Sequence, residues 1–252
     1  MRALTLFVAA IALLPLPAGA AANFSVSPLG VALSSSSSNA TITITNRSST
    51  ALRLQVTPYV WSQSETSNMV LAATKQLAVY PTLLTIEPGQ ARKIRVGTTV
   101  PAEATQRAYR VVVDQLPSLE SVQAPKGKEN IDMRARLTIP VVLKPSGTAT
   151  RAIDVKAAAV RKSAVDITLH NAGNALAEVS TIRVRGTGQG GASLFDRTGQ
   201  AWYVLAGATQ TFTISVPAGH CADVKAVSVD VTGTNIAGVK KTISDLTGAC
   251  AS

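Results

Sequence analysis

"ENIDMRARLTIPVVLKP", Glu129 to Pro145, decides how the chain is read. In steps of two it gives Ile131, Met133, Ala135, Leu137, Ile139 and Val141. Successive side chains of a strand face opposite ways, so these six form an apolar comb on one face. The other face carries Asp132, Arg134, Arg136, Thr138 and Pro140. Upstream lies "SLESVQAPKGKEN", Ser118 to Asn130, polar, charged and broken by Pro125 and Gly127. Such a loop is expected to be mobile when free. A comb that emerges from it has two readings. It lines this chain's own core, as alternating strands commonly do, or it is made for the core of another protein.

Working outward, the rest of the chain repeats the period of two. "NATITITN" (Asn39 to Asn46) puts Ile42 and Ile44 on one face and threonines on the other. "LRLQVTPYVW" (Leu52 to Trp61), "ARKIRVGTTV" (Ala91 to Val100) and "AYRVVVDQLP" (Ala108 to Pro117) read as strands between turn signals such as "EPGQ". After a break at "KPSGTATR" (Lys144 to Arg151) the pattern resumes. "AIDVKAAAV", "SAVDITLHN", "LAEVSTIRVRG", "AWYVLAGATQTFTISVP" and "VKAVSVDVTG" follow in order. β-branched residues, strict alternation and frequent turns predict an all-β chain of two immunoglobulin-like sandwiches. The boundary falls near Pro145, giving domains over 23–145 and 146–252. The serine run Ser34 to Ser38 reads as a loop between strands. No stretch holds a helical period.

The first residues, "MRALTLFVAAIALLPLPAGAAANF", combine Arg2, an apolar run and small residues. They read as a cleaved secretory signal over residues 1–22, too short and too proline-broken for a membrane span. The remainder is expected to be exported. Its two cysteines, Cys221 and Cys250, then read as one disulfide. His220 beside Cys221 makes no zinc spacing. The net charge of +10 invites nucleic acid, but the charges are scattered and aromatics are 4% of residues, which excludes a stacking platform. A solvated basic face or an acidic protein partner remains. With His170 and His220 the only histidines, no G-x-S-x-G elbow and no paired carboxylates, no enzyme and no cofactor are expected. "GTGQGG", Gly186 to Gly191, lies among strands and reads as a turn, not a phosphate loop.

In order and spacing, "FSVSPLGVALSSSSSNATITITNRS", Trp61, "LLTIEPGQARKIRV", "YRVVVDQLP" and "IDMRARLTIPVVLKP" resemble the PapD-like periplasmic chaperones of chaperone–usher pilus systems. The resemblance spans Phe24 to Pro145 and weakens over the second half. The short "YRVVVDQLP" and "IPVVLKP" forms resemble the archaic, spore-coat-U-related branch. The resemblance implies two sandwiches in a boomerang arrangement, a pilus subunit and an outer-membrane usher as partners, and no nucleic acid or membrane insertion. The competing reading is a secreted pilin-like or adhesive structural protein. A mature N-terminus as short and proline-broken as "ANFSVSPLG" speaks against it, because a subunit carries its own donor strand there.

The resemblance also gives the comb a task. In that family the long strand is a donor strand that completes a subunit's sandwich. Ile131, Met133, Ala135, Leu137 and Ile139 are therefore the expected subunit-binding teeth. Ile131 to Leu137, nearest the loop, form the donor segment proper, and Ile139 to Leu143 run on into the chain's own core. Family members also hold the subunit's C-terminal carboxylate with two cations in the cleft. Here those positions fall at Gly30 and Pro140, which carry no charge. The candidates to replace them are Arg95, Arg110, Arg134 and Arg136. Arg95 leads, because Gln106 stands where its usual acidic partner would be. Trp61 and Tyr109 are expected to be buried packing residues.

Overall fold

The computed structural model describes residues 24–65, 67–117, 134–244 and 246–251. The expected leader, 1–22, the loop 118–130, Ile131 and Met133 lie outside these residues, as does the side chain of Cys250.

The first half holds β1 (Phe24–Ser27), β2 (Val31–Leu33), β3 (Asn39–Asn46), β4 (Leu52–Ser64) and β5 (Ser67–Ala73). It continues with β6 (Leu77–Tyr80), β7 (Leu83–Ile86), β8 (Ala91–Thr98), β9 (Arg107–Gln115) and β10 (Arg136–Leu143). They form two sheets, β1-β3-β8-β6 and β2-β10-β9-β4-β5, with β7 paired to β4. The alternation read from the sequence sets which face goes inward. Ile42, Ile44, Leu54, Ile94, Val96, Val111, Val113 and Val141 meet in one core. Each such side chain contributes about 1.5–3 kcal/mol by leaving water. The serine run joins β2 to β3, as expected.

The second half holds β11 (Ile153–Arg161), β12 (Ala164–Asn171), β13 (Ala177–Thr187), β14 (Ser193–Gln200) and β15 (Tyr203–Val204). β16 (Thr209–Ser215), β17 (Ala226–Thr234), β18 (Val239–Ile243) and β19 (Thr247–Ala251) complete it. Its sheets are β16-β12-β11-β19 and β14-β13-β17-β18, with β15 on β13. A separate core gathers Val155, Ile167, Leu169, Ile182, Val184, Val229 and Val231. Residues 144–152, between the two cores, hold no strand.

Each half uses one buried asparagine to close a connection. Asn46 donates from Nδ2 to the Ile86 and Thr50 carbonyls, and Asn171 donates to those of Ala175 and Val204. The amide supplies donors that a turn's carbonyls would otherwise lack. "GTGQGG" ends in a short 3-10 turn, Gln189–Gly191, with Gly190 and Gly191 at φ 67° and 80°. That left-handed backbone is why glycines stand there. Two local readings need correction. "AWYVLAGATQTFTISVP" is not one strand: β15 and β16 are separated by a turn over 205–208. "SLFDRTGQ" is the strand β14, which the apolar pattern misses because Phe195 is its only buried side chain.

Candidate functional site

β10 continues the comb, and one of its edges is open. On one side β9 pairs with its whole length, from Arg136↔Asp114 to Leu143↔Arg107. On the other side β2 reaches only Val141, Val142 and Leu143. Gln115 N–H donates to the Ala135 carbonyl at 2.9 Å, so odd-numbered residues of this strand bond to β9. Even-numbered ones therefore turn their backbone groups the other way. Over Arg136–Thr138 the N–H and carbonyl groups of Arg136 and Thr138 face an edge with no strand partner among the described residues, whereas from Pro140 onward that side is taken up by β2. An edge of this kind can accept one more strand.

The teeth divide along the strand. Ala135 and Leu137 are half-buried and pack at the rim of the core. Ile139, expected among the subunit-binding teeth, is 1% exposed and sits inside this chain's own core, so the assignment is corrected: in this conformation it is closed to a partner. The physical reason is its register opposite Val111, well inside the sandwich.

Across the sheet, directly paired residues point to the same face. Arg110 on β9 pairs with Pro140 on β10 and with Tyr59 on β4. Gly30 precedes β2, and a Cβ added there would lie 3.5 Å from Pro140 Cγ. The two positions the resemblance gives to a carboxylate anchor are thus neighbours. Both are uncharged, and the next residue in that row is a cation.

Arg110 is 2% exposed. Its guanidinium carbon lies 3.8 Å from the Trp61 ring centroid, 5.1 Å from Trp202 and 5.7 Å from Tyr203. Trp61 belongs to the first sandwich and the other two rings to the second, so the cage spans the junction. Stacking on aromatic faces compensates part of the lost hydration. Desolvation pulls the Arg110 pKa down to about 10, opposed by the electrostatics of Tyr203, and the group remains a cation at neutral pH. Its Nε and Nη2 are buried without a hydrogen-bond partner. Two buried, charged donors left open call for an acceptor. Nε and Nη2 form the side of a guanidinium that takes a carboxylate with two parallel bonds. This chain uses the same pair of atoms twice elsewhere: Arg136 on Asp114 at 2.5 and 3.2 Å, and Arg183 on Asp196 at 2.8 and 2.5 Å.

The remaining candidates are placed differently. Arg95, the leading one, is exposed on β8 in the opposite sheet, paired with Thr41 and Tyr80. Gln106, expected to leave it without a partner, instead bonds the second sandwich: Leu176 N–H donates to its Oε1 at 2.6 Å. Arg134 is exposed ahead of β10, and Arg136 is held by Asp114. Trp61 and Tyr109 are buried, but Trp61 is a wall of the cage rather than simple core. Trp202 and Tyr203 read in the sequence only as part of a strand; two adjacent aromatics in so aromatic-poor a chain are the signal that marks them.

No cluster of metal-ligating side chains occurs among the described residues. Cys221 is disulfide-bonded, and the side chain of Cys250 lies outside the described residues.

Comparison with known proteins adds three findings. A model of the pili and flagellar-assembly chaperone PapD N-terminal domain matches residues 23–149. A search of the curated proteins finds no match. Among solved structures, the chain is similar in fold to one from the CsuC–CsuE chaperone–tip adhesion subunit pre-assembly complex of archaic Csu pili of Acinetobacter baumannii. That match has TM-score 0.59 and 16% identity, over 87% of this chain and 98% of that one. The Salmonella enterica SafA pilin–SafB chaperone complex also matches, with TM-score 0.56 and 12% identity, covering 90% and 99%.

Proposed function

The chain belongs to the PapD-like pilus-assembly chaperones, and on that premise we propose that it caps pilus subunits by donating a strand and delivers them to an outer-membrane usher. Donor-strand complementation rests above all on the open edge of β10 over Arg136–Thr138, in line with the apolar comb. A subunit's edge strand pairs with the backbone groups of Arg136 and Thr138. Leu137, Met133 and Ile131 then enter its incomplete core. Backbone bonds give affinity and alternate side chains give fit. Several buried apolar teeth, at about 1.5–3 kcal/mol each, outweigh the exposure of an unfinished sandwich. At the usher a subunit's own extension replaces the donor by better packing, with no nucleotide.

Arg110 is the anchor for the subunit's terminal carboxylate, since it stands one strand from the family's cleft positions and the two donors on the two-pronged side of its guanidinium are buried and unpaired. The work site is the periplasm, reached through the leader at 1–22, and the branch is the archaic one. The domain limits 23–145 and 146–252, and the Cys221–Cys250 pairing, belong to the same reading. Co-expression with a pilus subunit tests it. Met133→Asp and Leu137→Asp are expected to lose the subunit while the free chain stays folded. Wild-type recovery of the subunit by both variants would remove the donor assignment.

A further inference from the structure

The two sandwiches are joined without an ion pair among the described residues. Side-chain amides carry much of the bridge: Asn174 donates to the Ala104 carbonyl at 3.0 Å, Gln106 accepts from Leu176, and two further glutamines act beside the cage. Gln63 on β4 donates from Nε2 to the Tyr203 carbonyl at 2.8 Å and accepts the Leu205 N–H on Oε1 at 2.8 Å. Gln210 returns the bond, donating to the Ser64 carbonyl at 2.6 Å. The Gln63 amide thus copies the two-point pairing of a strand. It works in one orientation only, since exchanging its nitrogen and oxygen would set donor on donor and acceptor on acceptor. What it grips is the backbone of Tyr203, next to Trp202, and those two rings close the cage on Arg110.

We infer that Gln63 is the positioning residue of the Arg110 cage: through one side-chain amide it sets the aromatic pair of the second sandwich over the cation of the first. The inference builds on the reading of Arg110 as an anchor. It goes further, because it makes presentation of the cation depend on both sandwiches being locked at one angle. Trp61 and Trp202 are the chain's two tryptophans, one from each sandwich, with ring centroids 6.2 Å apart and planes inclined at 40°. Rings that close and inclined couple their transitions, so the cage reports on itself as an exciton couplet in far-ultraviolet circular dichroism.

The test uses the full mature chain. Gln63→Leu keeps volume and removes both bonds; the couplet is expected to collapse while the β-sheet signal stays. Gln63→Glu covers the case in which that variant misfolds. Its introduced carboxyl group can donate to the Tyr203 carbonyl and accept from Leu205 only when protonated. The couplet should then appear on acidification and vanish toward neutrality. The parent chain over the same range controls for Glu178, the charged neighbour of Tyr203. A couplet at parental strength in Gln63→Leu, or one insensitive to pH in Gln63→Glu, overturns the inference. A separate arm adds sodium acetate and follows the Nε–H resonance of Arg110, identified by its loss in Arg110→Met. A shift in the parent that falls about tenfold in Gln63→Leu joins the two readings. No shift in the parent removes Arg110 as an anchor and leaves the couplet to decide the role of Gln63.

Discussion

Arg110 stands directly opposite Pro140 in the antiparallel β9–β10 ladder, on the same face of the sheet and one strand from where a cleft cation was expected. The cation thus lies to one side of that position by the spacing of one strand, about 4.8 Å. The geometry makes this workable, because a guanidinium on β9 reaches the same junction as a shorter cation on β10.

If Arg110 serves in place of that cation, the exchange should be reversible. Arg110→Met should lower subunit capture roughly tenfold to a hundredfold, the worth of about 1.5–3 kcal/mol for a charge-assisted bond. Adding Pro140→Lys in the same chain should restore part of it, read as the fraction of subunit co-purified. No gain from the lysine would separate the two positions functionally.

Removing the same charge should leave the free chain no less stable. Desolvation sets the folded pKa of Arg110 at about 10, against an ordinary 12.5. The unfolded chain therefore holds this proton more tightly, and the penalty is fully present below pH 10 and relieved only as pH rises through that window. Losing the ring stacking offsets part of the gain. The expected result for Arg110→Met at neutral pH is an unfolding free energy equal to the parent's or about 1 kcal/mol higher, by urea denaturation. Affinity lower with stability kept is the signature of a group held for binding.

The comb should split by position. Leu137→Asp places a carboxylate at the half-buried rim and should spare the fold while abolishing capture. Ile139→Asp buries an unpaired charge and should cost several kcal/mol, so that the free chain itself unfolds or fails to accumulate. Thermal melts of both free proteins check the contrast.

If Cys221 pairs with Cys250, Cys221→Ser should lower stability by about 2–4 kcal/mol. Peptide mapping without reductant should recover the two segments linked.

The strands were legible because burial in a sandwich imposes a period of two, which Ile42 and Ile44 or Val111 and Val113 satisfy plainly. β14 was not, because an edge strand with one buried side chain carries no period. The comb was visible as a pattern, and nearness to the loop set Ile131–Leu137 apart from Ile139–Leu143, but periodicity says nothing of depth: that Ile139 is closed in the core while Leu137 stays at its rim is seen only in the fold. The candidate anchor was hardest. Arg110 was one of four candidate arginines and ranked below Arg95, because its value comes from pairing with Pro140 and from rings nearly a hundred positions away. Neither relation is local in the chain.

The central claim is that the open edge of β10 becomes an internal edge when a subunit is bound. Hydrogen exchange at the amides of Arg136 and Thr138, free and in complex with a co-expressed pilus subunit, tests it most directly. Both amides should exchange rapidly in the free chain and become strongly protected in the complex, while Leu137 and Ile139, already bonded to β9, change little. Unchanged exchange at Arg136 and Thr138 in a complex that remains intact would contradict the account.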